Sequence, residues 1–477
     1  MVVRSPHPDV EIPDLSLYDF LFGSLTEEDL GRTAVVDGPT GEATTFGALR
    51  AQVDAVAGAV AARGLGVGDV VALHSPNVPA FISVFHGLLR AGVTVTTLNA
   101  LASGPEVGKQ LTASGSKALI TVSPLLAQAT EGAEAAGLSR DDVVVMDGAE
   151  GYSNLRDLLA AGAPAPEVSF DPATHLAVLP YSSGTTGLPK GVMLTHRNLV
   201  ANVLQSEPYI PLVRDDVVPA VLPFFHIYGM TVLMNCALHQ RSTVVTMPRF
   251  DLPEYLRVIT EHRATVLFVA PPIALALAKH PLALEADLSS VRIMMSGAAP
   301  FDAQLAAAVG ERLPRARVMQ GYGMSEMSPV SHVVPFDRDD IDPGSIGLLV
   351  PNMLAKVVDP ATGEEIEQPA EGTSAPGELL CAGPNVMVGY LGNEAETRDT
   401  IDADGFLHTG DVVTVDAEEI PKAFVVRAEG AELSAEDVME YVAARVAPYK
   451  KVRAVQFTHA VPKSASGKIL RKELRAA

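Results

Sequence analysis

The chain has 477 residues, with 35 basic and 57 acidic side chains, no tryptophan and two cysteines. At roughly 150 residues per domain this length allows about three structural units, which excludes a peptide, a small disulfide scaffold and a zinc finger. Hydrophobic residues at 48% and charged residues at 19% describe a globular chain rather than a disordered one, and a formal net charge of −22 argues against a nucleic-acid partner.

Taken in chain order, the N-terminal MVVRSPHPDVEIPD has no apolar run after its basic start, so no signal peptide is expected. Val70–Leu73 reads as a short buried strand, and the stretch from Pro79 to Ala91 carries apolar residues at helical spacing. Val93–Leu98 and Ala118–Val122 read as further strands, and the rhythm repeats at Leu176–Leu179, Thr243–Met247, Thr265–Ala270, Val291–Ser296 and Arg317–Gln320. Strands alternating with helices imply parallel sheets covered by helices. The most apolar stretch, Ala264–Ala278, is too short to span a bilayer and contains Pro271-Pro272. Cys236 and Cys381 lack CxxC spacing and read as buried free thiols, which suits a reducing, cytoplasmic setting.

The texture changes after about Pro335. Gly and Pro become dense and strands shorten, which predicts a β-rich subdomain over about 340–411. Beyond Asp411 lie a strand candidate, Ala423–Val426, and a helix candidate, Ser434–Val446. The terminus is basic, with eight Lys and Arg from Lys450 onward against the single acid Glu473. Its spacing fits a solvated helix face and a clamp for a polyanion equally well.

The strongest chemical signal is Tyr181-Ser182-Ser183-Gly184-Thr185-Thr186-Gly187-Leu188-Pro189-Lys190-Gly191, placed after a strand-like apolar run. Its glycines permit close approach of backbone N–H groups to an anion, and its hydroxyls and Lys190 add donors and positive charge. The segment suits a polyphosphate, yet it is no Walker A loop because Gly-Lys-Ser/Thr spacing is lacking.

This segment resembles the phosphate loop of the adenylate-forming enzymes, the superfamily of acyl-CoA synthetases, nonribosomal adenylation domains and luciferases. Gln320-Gly321-Tyr322-Gly323-Met324-Ser325-Glu326 resembles the family's adenine- and magnesium-binding segment. His408-Thr409-Gly410-Asp411 is similar to the segment whose aspartate holds the ribose, and Pro462-Lys463-Ser464-Ala465-Ser466-Gly467-Lys468 to the loop that delivers the adenylation lysine. Within the superfamily the 4-coumarate–CoA ligases are most similar, through Leu222-Pro223-Phe224-Phe225-His226-Ile227-Tyr228-Gly229, Ser296-Gly297-Ala298-Ala299-Pro300 and Gly344–Asn352. None of residues 222–229 is acidic, which argues against an amino-acid substrate and its ammonium group.

The resemblance implies an α/β fold: a large N-terminal domain of two helix-covered, mainly parallel sheets with a small distorted β-barrel subdomain, then a truncated α+β C-terminal domain. The implied division is 1–411, an adenylation domain, and 412–477, a shortened domain carrying Lys468. ATP, Mg²⁺ and CoA are the implied cofactors and co-substrates, and a carboxylic acid the partner. Ser182, Ser183, Gly184, Thr185, Thr186, Gly187, Lys190, Ala298, Ala299, Pro300, Gln320, Gly321, Tyr322, Gly323, Met324, Ser325, Asp411 and Lys468 would form the nucleotide site. Glu326 would hold Mg²⁺, a hard cation that takes oxygen ligands. Lys468, His226, Thr185 and Glu326 would be catalytic. His226, Tyr228, Ala298, Gly323, Pro329 and Val330 would line an acyl pocket fit for a flat aromatic acid, or for a medium-chain fatty acid. Read without the resemblance, a histidine such as His226 among aromatics is most often a packed core residue.

One departure stands out. Relative to family lengths, about fifty residues are lacking between Asp411 and Ile420. The lost stretch would supply the hinge arginine and the lysine and glutamine of the thioester step. Two activities therefore remain open: a complete carboxylate–CoA ligase, and a protein confined to adenylation or to adenylate binding. The strand at 423–426 is expected to lose a neighbour and expose an edge.

Overall fold

The computed structural model describes residues 2–182, 189–342, 344–367, 369, 372–416, 422–425, 434, 437–438, 440–441 and 454–457. The chain divides into two compact units: Met1–Asp9, Leu354–Leu380 and Thr409–Ala477 form one, Val10–Met353 and Cys381–His408 the other.

The larger unit is the helix-covered parallel α/β body that the strand–helix rhythm implies. Among the described residues its largest sheet has nine strands, centred on Val70–His74, which pairs in parallel with Thr94–Leu98 on one side and Ala118–Thr121 on the other. These strands are buried on both faces, which is why they read as nearly continuous apolar runs. Thr94–Leu98 departs from that pattern: its buried Thr94 and Thr96 hydroxyls donate to the carbonyls of Leu176 and Leu179 at 2.9 Å.

Helix Pro79–Arg90 starts with proline at its first position, where the missing N–H costs nothing. Gly104–Ser114 is capped by a Ser103/Glu106 capping box, and Gly115 closes it in the left-handed conformation. This helix packs closely on Leu126–Ala135, because a Cβ on Gly132 would stand 2.5 Å from Val107 Cγ1. Val107, Leu111, Ala129 and Ala133 close over Ala72, Leu119 and Val143 of the sheet.

A second sheet orders Val217–Ala220, Thr243–Thr246 and Thr33–Asp37 in parallel, with Ala43–Thr45 antiparallel at its edge. A third runs Val266–Val269, Ile293–Ser296 and Arg317–Gly323 in parallel, then Val330–Val333 and Leu348–Leu349 antiparallel. The second and third meet where Thr265 N–H donates to the Val217 carbonyl at 3.0 Å. Helices Leu252–Glu261, Pro271–Lys279 and Ala303–Arg312 bury Tyr255, Ile259, Leu277 and Val309 against Val245, Leu267 and Met294.

The smaller unit carries a four-stranded sheet in the order Val3–Arg4, Leu354–Val358, Gly377–Ala382, Leu407–Val413. The β-rich stretch expected over about 340–411 is thus divided. Leu348–Leu349 and residues 381–408 belong to the larger unit, and the N-terminal strand joins the smaller one through Val3↔Ala355 and Arg4↔Leu354. In the tail, Lys422–Val425 pairs in parallel with Ala454–Phe457, a two-stranded sheet among the described residues. The helix candidate at 434–446 is only partly described, with helical residues at 437–438 and 440–441. Both cysteines are free and buried, and burial raises both thiol pKa values, Cys381 to about 12. Among the described residues no helix is long and apolar enough to cross a membrane.

Candidate active site

Strands Tyr181–Ser182 and Lys190–Thr195 flank the glycine-rich segment and pair antiparallel, with Ser182 opposite Lys190. Ser183, Gly184, Thr185, Thr186 and Gly187 lie outside the described residues, as does Lys468. What is described is the frame around that segment. Ser182 Oγ donates to Glu326 Oε1 at 2.9 Å, and the Tyr390 hydroxyl donates to the same oxygen at 2.9 Å. Glu326 is 3% exposed and sits in a single 3₁₀ turn, Ser325–Met327, directly after the strand that ends at Gly323. Among the described residues no hydrogen bond reaches its Oε2. A buried carboxylate with one oxygen held and one open fits a Mg²⁺ ion that completes its shell with phosphate oxygens and water.

Lys190 does not stand free for a phosphate in this structure. Its ammonium pairs with the Glu396 carboxylate and lies 5.2 Å from the centroid of the Tyr390 ring. Burial and the neighbouring Glu326 charge push the Tyr390 phenol well above its ordinary pKa, so it remains a donor. Sequence reasoning missed Tyr390 and Glu396. Both sit in Gly389–Tyr390 and Glu394–Thr400, a segment with no recognisable anion or metal pattern.

The other expected nucleotide residues cluster at the carboxyl ends of neighbouring parallel strands, where α/β sheets bind ligands. Ala298, Ala299 and Pro300 are exposed just beyond the buried strand Ile293–Ser296, and Ala298 takes a left-handed φ of 68°. A non-glycine residue held there stores strain of the kind found at ligand sites. Gln320 is 6% exposed and its amide is committed to the backbone: it accepts from Phe301 N–H at 3.0 Å and donates to the Ser345 carbonyl at 2.7 Å. Through these bonds it holds the 298–301 loop. Gly321 packs on the Met295 methyl, and the Tyr322 ring meets His332 edge-on at 5.9 Å. Met324 N–H donates to the Pro329 carbonyl at 3.1 Å, and Ser325 opens the turn that carries Glu326.

The 222–229 segment is pinned by residues that carry no motif. Asn77 donates to the carbonyls of Ala220 and Leu222 and accepts from Phe224 N–H at 2.7 Å, and Thr97 Oγ1 donates to the Phe225 carbonyl at 2.8 Å. This leaves His226 exposed, its ring 4.6 Å from that of Phe225, so it is not the packed core residue its aromatic setting permits. The protein around the open ring still lowers its pKa by desolvation. Tyr228 lies against Gly297, where an added Cβ would stand 3.1 Å from Cε1. The Tyr228 hydroxyl is buried with no hydrogen-bond partner among the described residues, as are Ser296 Oγ and the Tyr255 hydroxyl. Gly323 abuts the Pro329 carbonyl and Val330, and Asn202 clamps Val330 by accepting from its N–H and donating to its carbonyl.

Asp411 belongs to the smaller unit. It lies on strand Leu407–Val413, exposed, its N–H donating to Thr409 Oγ1 at 3.1 Å, while Thr409 Oγ1 donates to the Leu379 carbonyl.

Comparisons with known proteins agree with this geometry. The family described as AMP-binding enzyme matches residues 25–391, and its C-terminal domain family matches 411–468. The 4-coumarate–CoA ligase 5 of Oryza sativa subsp. japonica is 37% identical, covering 100% of this chain and 97% of its own. The 4-coumarate–CoA ligase 1 of Arabidopsis thaliana is 35% identical, covering 100% and 95%. The rice alignment runs over 534 positions against a chain of 477 residues, so about 57 positions of it have no residue here. Among solved structures, ATP-bound MatB from Rhodopseudomonas palustris matches with a TM-score of 0.74 at 27% identity, covering 97% of this chain and 99% of that one. The long-chain-fatty-acid–CoA ligase of Archaeoglobus fulgidus matches with a TM-score of 0.78 at 25% identity, covering 94% and 98%. With family models and relatives that span nearly all of its length, the chain belongs to the AMP-binding enzyme family.

Proposed function

We propose that this protein is an AMP-forming acid–CoA ligase that activates a cinnamate-like aromatic acid, using ATP, Mg²⁺ and CoA. Attack of the acid's carboxylate on the α-phosphorus would release pyrophosphate, and the acyl group would then pass to the CoA thiol. Such a reaction depends on positioning and charge more than on a protein nucleophile. Glu326 would hold the metal, Thr185 and Ser325 would donate to phosphate, Asp411 would bind the ribose, and Lys468 would bridge carboxylate and α-phosphate. The same reading divides the chain at 411/412, with the shortened second part delivering Lys468.

The observation that carries the aromatic assignment is the Tyr228 hydroxyl, buried and unpartnered beside Gly297, with Ser296 Oγ also unpartnered on the preceding residue. A buried hydroxyl without a partner costs about 1–3 kcal/mol. A ring hydroxyl on the bound acid would recover part of that, and an alkyl chain would not. The relatives described as 4-coumarate–CoA ligases support the same class. A second reading, adenylation without efficient thioester formation, rests on the shortfall expected between Asp411 and Ile420, which is similar in size to the about 57 alignment positions that have no residue here.

The test is to supply ATP, Mg²⁺ and CoA with 4-coumarate, cinnamate or octanoate, and to follow pyrophosphate release and thioester formation separately. Faster turnover of 4-coumarate than of octanoate supports the proposal. Pyrophosphate without thioester selects the second reading. Nucleotide binding with neither product sinks both.

A further inference from the structure

We infer that Tyr390 is a positioning residue for the magnesium site, fixing which oxygen of Glu326 faces the cation. The inference rests on the reading of Glu326 as the metal carboxylate. Two hydroxyls, Ser182 Oγ and the Tyr390 phenol, each donate at 2.9 Å to one and the same oxygen, Oε1. A buried carboxylate so held cannot exchange its two oxygens by rotation without breaking both bonds. Oε2, which receives no hydrogen bond among the described residues, is left as the ligand oxygen. Charge-assisted bonds of this type are the stronger class, so their loss has a measurable consequence.

Tyr390 is itself held from three directions, two through its backbone and one through its ring. Tyr390 N–H donates to Thr397 Oγ1 at 2.9 Å. Its strand pairs antiparallel with Lys190–Thr195, with Tyr390 opposite Val192. The Lys190 ammonium lies 5.2 Å from the ring centroid, and Glu396 anchors that ammonium. Glu396 also supplies the lysine with a counter-charge, so Lys190 need not collapse onto Glu326. Residues 389–396 thus form a brace that sets the metal carboxylate from behind, although that stretch carries no metal-ligating pattern.

The experiment measures ATP binding to the full chain by calorimetry, first in EDTA and then across a Mg²⁺ titration, for wild type, Tyr390→Phe and Ser182→Ala. Phenylalanine keeps the ring and removes only the donor. The expected result is unchanged ATP affinity in EDTA for Tyr390→Phe, with the Mg²⁺ concentration for half-maximal effect raised about tenfold. Ser182→Ala should shift the Mg²⁺ dependence in the same direction, which keeps the test valid if Tyr390→Phe folds poorly. An unshifted Mg²⁺ dependence in folded Tyr390→Phe overturns the inference whatever Ser182→Ala shows, and so does an equal loss in EDTA and in Mg²⁺, which marks general damage. If Tyr390→Phe does not fold, an unshifted Ser182→Ala overturns it instead, because then holding Oε1 does not set the metal oxygen. A wild-type protein that binds ATP with no Mg²⁺ effect instead removes the underlying assignment of Glu326, a separate failure.

Discussion

Lys190 and Glu396 lie 206 positions apart in the chain and form an ion pair in which the lysine side chain is only 9% exposed. The lysine that a sequence reading gives to phosphate is therefore already neutralised before any nucleotide is considered. With Glu396 27% exposed, the pair falls between the surface and fully buried regimes. Lys190→Met should cost about 2 kcal/mol, because it leaves Glu396 partly buried without its partner. Adding Glu396→Gln should recover a good part of that loss. Urea unfolding of the two single variants and the double variant gives the coupling directly, and a coupling near zero would falsify the pairing as an energetic contact.

A second buried charge should matter more. Asp216, 2% exposed, accepts from Arg292 Nε at 2.7 Å, Thr265 Oγ1 at 2.7 Å and Val213 N–H at 2.8 Å. These residues lie where the second and third sheets meet. Arg292→Met should destabilise by about 3 kcal/mol, since it strands a desolvated carboxylate. Asp216→Asn with Arg292 intact should cost less, because an amide still accepts one bond from the guanidinium. Equal losses in the two variants would argue against this account.

Gly323 of the expected pocket and Gly297, which lies against Tyr228 of that pocket, should differ in their tolerance of alanine. At Gly323 an added Cβ runs into the Pro329 carbonyl and stands 3.1 Å from Val330 Cα, both backbone atoms. At Gly297 it meets the edge of the Tyr228 ring at 3.1–3.2 Å, and that side chain can yield. Gly323→Ala should therefore lower stability by about 1–3 kcal/mol, and Gly297→Ala by less. Melting temperatures rank the two variants, and the reverse order would refute the packing described for the third sheet.

Acid should destabilise the fold through its buried imidazoles. Burial lowers the pKa of His74 and His332 to about 4 and of His86 and His196 to about 3, from an ordinary 6.5. As pH falls through 6.5 the unfolded chain takes up these protons while the folded chain does not. Stability therefore declines with falling pH from about 6.5 until the folded values are reached. Neither ring nitrogen of His86 has a partner among the described residues, and its ring packs edge-on against Phe22 and Phe85. His86→Leu should be nearly neutral at pH 7. Between pH 6 and 5 it should reduce the slope of unfolding free energy by about 1.4 kcal/mol per pH unit, one proton's worth. A slope identical to wild type would show that His86 titrates in the folded protein.

The order of strands and helices from Val70 to Gln320 was legible in the amino-acid sequence, and so was the expectation that 181–191 and Glu326 serve a phosphate and metal site, the two ends of which the structure joins through Ser182 and Glu326. Strand and helix periods report burial locally, and anion-binding loops depend on residue types within a few positions. The relations between distant residues were not legible. Nothing near Tyr390 marks it as the partner of Glu326, 64 positions earlier, and nothing in Asn77 or Thr97 marks them as pins for the segment that carries His226. The same holds for Val3–Arg4, which completes the edge of a sheet built from residues 354 onward. A hydrogen bond between distant residues leaves no period in either neighbourhood, so only the tertiary structure could pair them. The sequence by itself determined which chemistry the chain is equipped for, while the fold decided which oxygen of Glu326 is held, which lysine is already paired and which hydroxyls remain unsatisfied.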